Sequence, residues 1–347
     1  MGHMRAIIVG VAAAAAVLAT SCQPPPGSST PGAGTWAVNP SATDASIAGD
    51  AVSTHLAYQP TVAAVGKLAV IFPGTSATTL AFSELTRALT GVGYHVIVLR
   101  YPNSLGTTAA CPDSNAATDP DCFRVFRSEV VFGAGVNDPD GQTYDHPIAS
   151  VNQSNSVVNR LTKLLDHLST VAPAAGWGQF QVRSGATCAQ VDPTYGGCAI
   201  DWSKVTVVGH SQGAGVGLYL AKFFPLHRVV MLSGAFDAYD LGGGSYAVAP
   251  WITEGPFAVP AANIGSLIHT SDPNAARIRA VAQLVGIPGP EADVSTGPTF
   301  GGSRQLVTST PSACPIGDSA PSHNSTAVDL CVPDYAYDAA WRYLATS

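Results

Sequence analysis

The sequence predicts an α/β protein in which a mostly parallel sheet is flanked by helices. From residue 67 onward, short runs rich in β-branched residues alternate with segments of helical apolar spacing. The chain has 347 residues and is 46% hydrophobic, enough to fill the core of one large domain. Only 11% of the residues are charged, against about 25% in an average soluble domain. This composition excludes a disordered chain.

Six apolar runs are predicted as strands, namely residues 68–72, 95–99, 205–208, 229–232, 264–268 and 306–307. A further edge strand is expected within residues 51–58. The clearest helix repeats apolar residues every three or four positions, which places one face on the sheet. Its apolar residues are Val157, Val158, Leu161, Leu164, Leu165 and Leu168. Other helices are expected around residues 82–89, 214–224, 278–285 and 337–344.

Two long insertions without a regular pattern interrupt the alternation, at residues 101–148 and 237–263. Insertions of this length in an α/β protein often form a lid or a pocket wall. Trp251, Pro256 and Phe257 in the second insertion suggest an apolar pocket, although aromatic residues in such a segment more often only pack.

The charge distribution argues against nucleic acid as a partner. The chain has 16 basic and 23 acidic residues, a formal net charge of -7. No cluster of Lys and Arg occurs that could neutralise a phosphate backbone.

The N-terminal residues are typical of an exported chain. Arg5 precedes an apolar run over residues 6–19, which is shorter than the roughly 20 residues that a membrane span requires. This pattern predicts a signal peptide over residues 1–21. Residues 18–22 resemble a bacterial lipobox, so Cys22 is expected to be lipidated and to attach the chain to a membrane. Ordinary cleavage and secretion is the alternative. The Pro- and Gly-rich stretch that follows predicts a flexible tether over residues 22–45, before the folded domain at 46–347.

Seven cysteines occur, an odd number that leaves one with a separate role, and Cys22 is the candidate. The other six fall into close pairs, and loop-closure entropy favours sequential pairing. The expected disulfides are Cys111 with Cys122, Cys188 with Cys198, and Cys314 with Cys331. Since neither C-x-x-C nor H-E-x-x-H occurs, no metal site is expected.

A G-x-S-x-G motif follows the predicted strand at 205–208 and precedes a predicted helix. Its central residue is Ser211, between Gly209 and Gly213. A nucleophile at such a sharp turn has strained backbone angles, and glycines on both sides let the strand and the helix approach. The motif therefore predicts Ser211 as a nucleophile at the carboxyl edge of the sheet.

A serine nucleophile needs a base, and His323 is the best candidate. In this type of fold the base follows the acid, which follows the serine. His227 precedes a strand and so lies at the wrong edge, while His269 comes too early for an acid to precede it. His210, beside the serine, is expected to pack or to donate a hydrogen bond within the turn rather than act as the base.

Two aspartates follow strands at the correct edge of the sheet and could orient His323. Asp272 follows the strand at 264–268, and Asp237 follows the strand at 229–232. Asp272 is favoured because it lies in a compact turn before a helix, where it could equally be a helix cap. Asp237 remains the alternative.

The negative oxygen that develops during acyl transfer requires two preorganised N–H donors. One is expected from Gln212, the residue after the nucleophile, and one from the loop after the first central strand. Thr75 is the favoured donor in that loop, with Ser76 in reserve.

These motifs resemble the α/β-hydrolase superfamily over about residues 60–345. The matching features are, in chain order, Pro73-Gly74-Thr75, Gly209-His210-Ser211-Gln212-Gly213, Asp272 and His323. The Ser-Gln-Gly-Ala turn is similar to that of cutinases, although the insertions and the chain length depart from that family. The resemblance implies a Ser-His-Asp triad acting on carboxylic esters, small or polymeric, without a metal or organic cofactor.

The expected function is therefore an exported serine carboxylic-ester hydrolase, secreted or attached to the cell envelope. Two alternatives remain open. An acyltransferase could use the same triad, since hydrolysis and transfer differ in the acceptor. A non-catalytic envelope lipoprotein could use the same scaffold.

Overall fold

The computed structural model describes residues 34–48 and 53–347. The strands in this part of the chain are β1 (Thr35–Val38), β2 (His55–Tyr58), β3 (Leu68–Phe72), β4 (His95–Val98), β5 (Arg183–Ser184), β6 (Thr187–Cys188), β7 (Val205–His210), β8 (Arg228–Leu232), β9 (Ala238–Gly242), β10 (Ser245–Val248), β11 (Ile264–His269), β12 (Ala292–Asp293) and β13 (Gln305–Thr308). Nine of them form one sheet in the order β1-β2-β4-β3-β7-β8-β11-β13-β12. The pairs β5 with β6 and β9 with β10 form separate hairpins.

The sheet is parallel except at one edge. The seven strands from β4 to β12 in the sheet order run in the same direction, while β2 is antiparallel to both of its neighbours. All six strands predicted from apolar runs are present, with ends within two residues of the prediction. The expected edge strand within 51–58 is β2.

Helices cover both faces of the sheet. They are α1 (Pro40–Thr43), α2 (Ser83–Thr90), α3 (Thr107–Ala110), α4 (Asp113–Ala116), α5 (Cys122–Phe132), α6 (Val157–Val171), α7 (Gln212–Phe223), α8 (Pro250–Thr253), α9 (Ala275–Val285), α10 (Pro321–Asn324) and α11 (Asp338–Thr346). Buried apolar side chains of α5, α6 and α7, with the C-terminal half of α9, belong to one cluster, and those of α2 and α11 belong to another. The predicted class, a mostly parallel sheet flanked by helices, is confirmed.

The first insertion is more regular than the sequence predicts. It contains α3, α4 and the 11-residue helix α5, whose Phe123 and Phe126 are buried in the core. The helical pattern of α5 is masked in the sequence by three consecutive polar residues at 127–129, all of which are buried. The second insertion contains the β9–β10 hairpin and α8.

The N-terminal predictions are only partly covered by the structure. The predicted signal peptide and Cys22 lie outside the described residues. The predicted tether, 22–45, is wrong from Thr35 onward, because that part forms β1 and α1. Trp36 anchors it by packing edge-on against Trp177, with ring centroids 5.6 Å apart. Among the described residues, no helix has the length and apolar composition needed to cross a bilayer.

Three disulfides join the cysteine pairs expected from the sequence. They are Cys111 with Cys122, Cys188 with Cys198, and Cys314 with Cys331. Each closes a short loop, the longest separation being 17 residues for the last pair.

Candidate active site

The turn between β7 and α7 places Ser211 at the carboxyl edge of the sheet. Ser211 has φ 56° and ψ −119°, a strained conformation for a residue with a side chain. A Cβ at Gly209 would lie 2.1 Å from the carbonyl oxygen of Gly213, and a Cβ at Gly213 would lie 2.1 Å from that of Phe72. Only glycine fits at both positions. This agrees with the sequence analysis, in which the two glycines let the strand and the helix approach each other.

His323 lies on α10, in the loop after β13, and contacts the serine. Its Nε2 is 2.8 Å from Ser211 Oγ. Both residues are 8% exposed, so a small part of each remains open to solvent. The distance is that of a hydrogen bond, which lets the serine hydroxyl donate to the imidazole.

Asp272 lies in the turn after β11 and contacts the other side of the imidazole. Its Oδ2 is 2.7 Å from His323 Nδ1, and its Oδ1 accepts a hydrogen bond from the amide of Asn274 at 2.8 Å. Burial raises the pKa of this carboxyl, but the hydrogen bond and charge of His323, with the Asn274 amide, lower it more, so the net pKa is below its usual range. Asp272 is therefore a carboxylate, and Nδ1 donates to it.

That donation determines the protonation of the imidazole. With the proton on Nδ1, the Nε2 of His323 carries a free lone pair toward Ser211. The arrangement can accept the proton of the serine hydroxyl and stabilise the imidazolium that results.

Asp237, the alternative acid, lies elsewhere. It is fully buried and forms an ion pair with Arg127, with oxygen–nitrogen distances of 2.6 and 3.0 Å. No hydrogen bond joins Asp237 to His323 in the described part of the chain. Removing one partner of such a buried pair costs about 3–5 kcal/mol of folding stability, because the other charge is left without a partner.

His210 contacts the backbone of the candidate base rather than the serine. Its Nε2 is 3.2 Å from the carbonyl oxygen of His323, so Nε2 carries the proton and donates it. Burial, with a smaller contribution from the neighbouring charge of His323, lowers the pKa of His210 to about 3. A neutral His210 therefore supports the loop that carries His323. This agrees with the expectation that His210 is not the base, but sequence reasoning did not identify its partner.

The two other histidines considered as the base, His227 and His269, contact groups other than Ser211. His227 Nδ1 lies 3.2 Å from Thr206 Oγ1, at the amino end of the sheet. His269 Nε2 lies 3.0 Å from the carbonyl oxygen of Thr310. The first contact agrees with the reason for rejecting His227, which was its place at the amino end of the sheet, and the second shows that the His269 ring is held by another loop.

The expected oxyanion donors are Thr75, in the loop after β3, and Gln212, at the start of α7, and their side chains are in contact. Thr75 Oγ1 donates to Gln212 Oε1 at 2.9 Å. Within the described residues, the backbone N–H of neither has a protein acceptor, so both are available to a ligand. Ser76, the reserve donor, is not available, because its N–H donates to the carbonyl of Asn103 at 2.9 Å.

The aromatic residues of the second insertion border cavities that do not include Ser211. Trp251 is 2% exposed, and its ring lies edge-on to Tyr219 at 5.0 Å and to Phe257 at 6.3 Å. The cavity of about 100 Å³ that Trp251 and Tyr219 border does not include Ser211. Pro256 and Phe257 border a separate cavity of about 480 Å³, lined mostly by apolar residues, which does not include Ser211 either. The expected apolar pocket is therefore present beside Pro256 and Phe257, but it is not joined to the candidate nucleophile.

No family model and no curated protein matches the chain. Solved structures with partial similarity include the protein TT1662 from Thermus thermophilus, with 12% identity over 74% of this chain and 83% of that chain and a TM-score of 0.34. A ferulic acid esterase from Streptomyces cinnamoneus has 12% identity over 82% and 65%, with a TM-score of 0.32. A structure of YahD with malic acid has 10% identity over 68% and 85%, with a TM-score of 0.30. Because these scores are below 0.5, the fold class rests on the sheet topology described above.

Proposed function

We propose that the protein is a serine carboxylic-ester hydrolase. The observation that carries the proposal is the hydrogen-bonded chain from Ser211 through His323 to Asp272, at a strained turn between a buried strand and a helix. A nucleophile, a base within hydrogen-bond distance and a group that orients the base are the three parts that acyl transfer to serine requires.

In the first step, Ser211 Oγ attacks the carbonyl carbon of the ester while its proton passes to His323 Nε2. The carbonyl π electrons move to the oxygen, which becomes an oxyanion facing the N–H groups of Thr75 and Gln212. Asp272 stabilises the imidazolium without taking its proton.

In the following steps the tetrahedral intermediate collapses. The bond between the carbonyl carbon and the alcohol oxygen breaks, and the departing alcohol takes the proton from His323. Water then attacks the acyl-serine, gives a proton to His323 and releases the carboxylic acid as Ser211 regains its proton. Every proton and electron pair is supplied by substrate, water and side chains, so the scheme needs no cofactor.

Labelling with a fluorophosphonate tests the proposal directly, because this reagent forms a covalent bond with an activated serine. We expect a stoichiometric adduct that peptide mapping places on Ser211, and release of acid from a small activated ester. Absence of both from folded protein would show a non-catalytic scaffold. Transfer of the acyl group to an added alcohol in preference to water would instead identify an acyltransferase.

Export to an oxidising compartment is part of the proposal. Three disulfides in one chain are typical of exported proteins, since the cytosol keeps most thiols reduced. The lipobox-like residues that end at Cys22 further favour attachment to the cell envelope.

Lipidation of Cys22 is the first prediction that follows. When the chain is produced with its own leader in a bacterial host, it is expected to partition with membranes and to begin at a lipidated Cys22. Cys22→Ala should block processing or release the protein, because no thiol remains to carry the lipid. Mass spectrometry of the mature N-terminus checks this, and an unmodified terminus elsewhere would indicate ordinary secretion.

The Cys314–Cys331 disulfide is expected to support activity as well as stability. It closes the loop that contains His323, and in the chain-entropy model such a bond contributes about 3 kcal/mol. The double variant Cys314→Ser, Cys331→Ser is expected to lose about ten- to a hundredfold in kcat below its unfolding temperature, because a base misplaced by about 1 Å loses this much.

The matched control removes the Cys188–Cys198 disulfide, which lies beside the β5–β6 hairpin. That double variant is expected to lose thermal stability and to keep its kcat. If both double variants retain full turnover up to their unfolding temperatures, the bond near His323 is only a structural link.

A further inference from the structure

Arg127 is a fully buried cation at the centre of the first insertion. It lies on α5 and has no exposed surface. Four of its five N–H groups donate hydrogen bonds. Two of these go to the carboxylate of Asp237, one goes to the carbonyl oxygen of Gln212 at 3.0 Å, and one goes to Thr107 Oγ1 at 3.0 Å.

The contact between Arg127 and the carbonyl oxygen of Gln212 lies at one side of the candidate oxyanion hole. Gln212 is the first residue of α7, and its N–H is one of the two expected donors. Its carbonyl oxygen accepts a hydrogen bond from Arg127 Nη1, which restrains the peptide group that follows the Gln212 Cα and thereby limits rotation at this residue. A charged donor makes this a strong hydrogen bond.

The contact with Thr107 reaches the other side of the candidate oxyanion hole. Thr107 follows Gly106, and a Cβ at Gly106 would lie 3.1 Å from Thr75 Oγ1 and 3.2 Å from Thr75 Cγ2. The backbone at Gly106 therefore packs closely on Thr75, the second expected donor. Thr75 Oγ1 in turn donates to the side chain of Gln212. The contacts close a ring from Arg127 through both donors and back to Arg127.

The chain makes specific room for the guanidinium. A Cβ at Gly215 would lie 2.0 Å from Arg127 Nη2 and 2.3 Å from its Cζ. Glycine at this position of α7 therefore leaves space for Arg127. Asp237, directly before β9, neutralises the cation with paired hydrogen bonds, a geometry that Lys does not reproduce.

We propose that Arg127 is a positioning residue that sets the separation and direction of the two backbone N–H donors of the oxyanion hole. This assignment rests on the proposed function. Arg127 touches neither the nucleophile nor the base, and it acts through Gln212 and Thr107. Donors that are displaced stabilise the transition state less while substrate binding is little changed.

Arg127→Lys is the first test, because Lys keeps the positive charge beside Asp237 but cannot hold Gln212 and Thr107 at the same time. With a small activated ester, measured well below the unfolding temperature, kcat is expected to fall about ten- to a hundredfold. KM is expected to stay within about twofold. The inhibition constant of an alkylboronic acid, which forms a tetrahedral adduct on serine, is expected to rise by a factor similar to the fall in kcat.

Arg304→Lys is the matched control. Arg304 is also buried and donates to three backbone carbonyls of the C-terminal residues, away from Ser211. This variant is expected to lose thermal stability with kcat and boronic acid inhibition unchanged. The comparison separates a positioning role from a purely structural one, because lost stability alone does not change transition-state binding in the folded fraction.

Thr107→Val is a milder second variant in case Arg127→Lys does not fold. It keeps the shape of the side chain and removes only the oxygen that Arg127 contacts. The same pattern, a lower kcat with an unchanged KM, is expected at about three- to tenfold. If folded Arg127→Lys and Thr107→Val proteins keep the wild-type kcat and the wild-type inhibition by boronic acid, the positioning role of Arg127 is overturned, while the proposed function stands. A wild-type protein that neither hydrolyses esters nor reacts with fluorophosphonate would overturn the proposed function, and this role with it.

Discussion

Ser211→Ala is expected to lower kcat for a small activated ester by about a million-fold. The alanine has no oxygen to attack the carbonyl, and the base and the amide donors cannot replace it. The fold should be retained, because within the described residues Ser211 Oγ hydrogen-bonds only to His323, and the glycines around Ser211 allow its strained backbone. Steady-state kinetics, circular dichroism and thermal unfolding measure both parts of the prediction.

Ser303→Ala is a matched control for this loss. Ser303 is also buried, but it precedes β13 at the amino end of the sheet and donates to the carbonyl oxygen of Pro290. Its replacement should leave kcat unchanged. Substantial turnover by highly purified Ser211→Ala protein would rule out Ser211 as the nucleophile.

Asp272→Asn is expected to lower kcat by about 10,000-fold with little loss of structure. The amide nitrogen would donate to His323 Nδ1, so the imidazole would carry its proton on Nε2. In that tautomer it has no lone pair to accept the proton of Ser211. The side-chain oxygen of the variant can still accept from the Asn274 amide, which preserves the turn.

A carboxylate in an ion pair far from Ser211 provides the comparison. Asp338, on α11, pairs with Arg87, and Asp338→Asn should leave kcat unchanged. Asp237→Asn is unsuitable as a control because it leaves Arg127 without its counter-ion. If Asp272→Asn retains more than about a tenth of wild-type kcat, another group orients His323.

Much of the fold was predictable because the strands of this sheet are buried on both faces. Such strands appear in the sequence as continuous apolar runs, and the run at residues 68–72 matches β3 at both ends. β1 was missed because only Val38 of its four residues is buried, so a short edge strand leaves little apolar signal.

The helix α5 could not be predicted from periodicity because its polar residues are buried by contacts distant in sequence. Arg127 pairs with Asp237, 110 residues away, and Glu129 accepts from the amides of His146 and Val151. In the sequence, these consecutive polar residues are typical of a helix face exposed to solvent. Only the tertiary contacts show that their charged groups have hydrogen-bond partners inside the protein.

The candidate site was predictable where a residue follows the end of a strand. Ser211 and Asp272 follow β7 and β11, and parallel strands bring such residues to one edge. His323 lies 15 residues beyond β13, so the loop after that strand determines its position. The sequence indicated His323 only because it follows the serine and the aspartate in chain order. Ser76 was an open alternative because the sequence does not reveal that Asn103 accepts its N–H.

The direction of β1 has a consequence for how an anchored molecule would be oriented. Two antiparallel pairings separate β1 from β4, so β1 starts at the amino end of the parallel strands, the opposite edge from Ser211. Gly34 enters the sheet there, about 20 Å from the carboxyl edge for a strand of six residues. A lipid on Cys22 would be joined to Gly34 by twelve residues, which reach at most about 40 Å. The attachment point of an anchored molecule would then lie at the edge of the sheet opposite Ser211, so the candidate site would be at the end of the domain farther from the anchor.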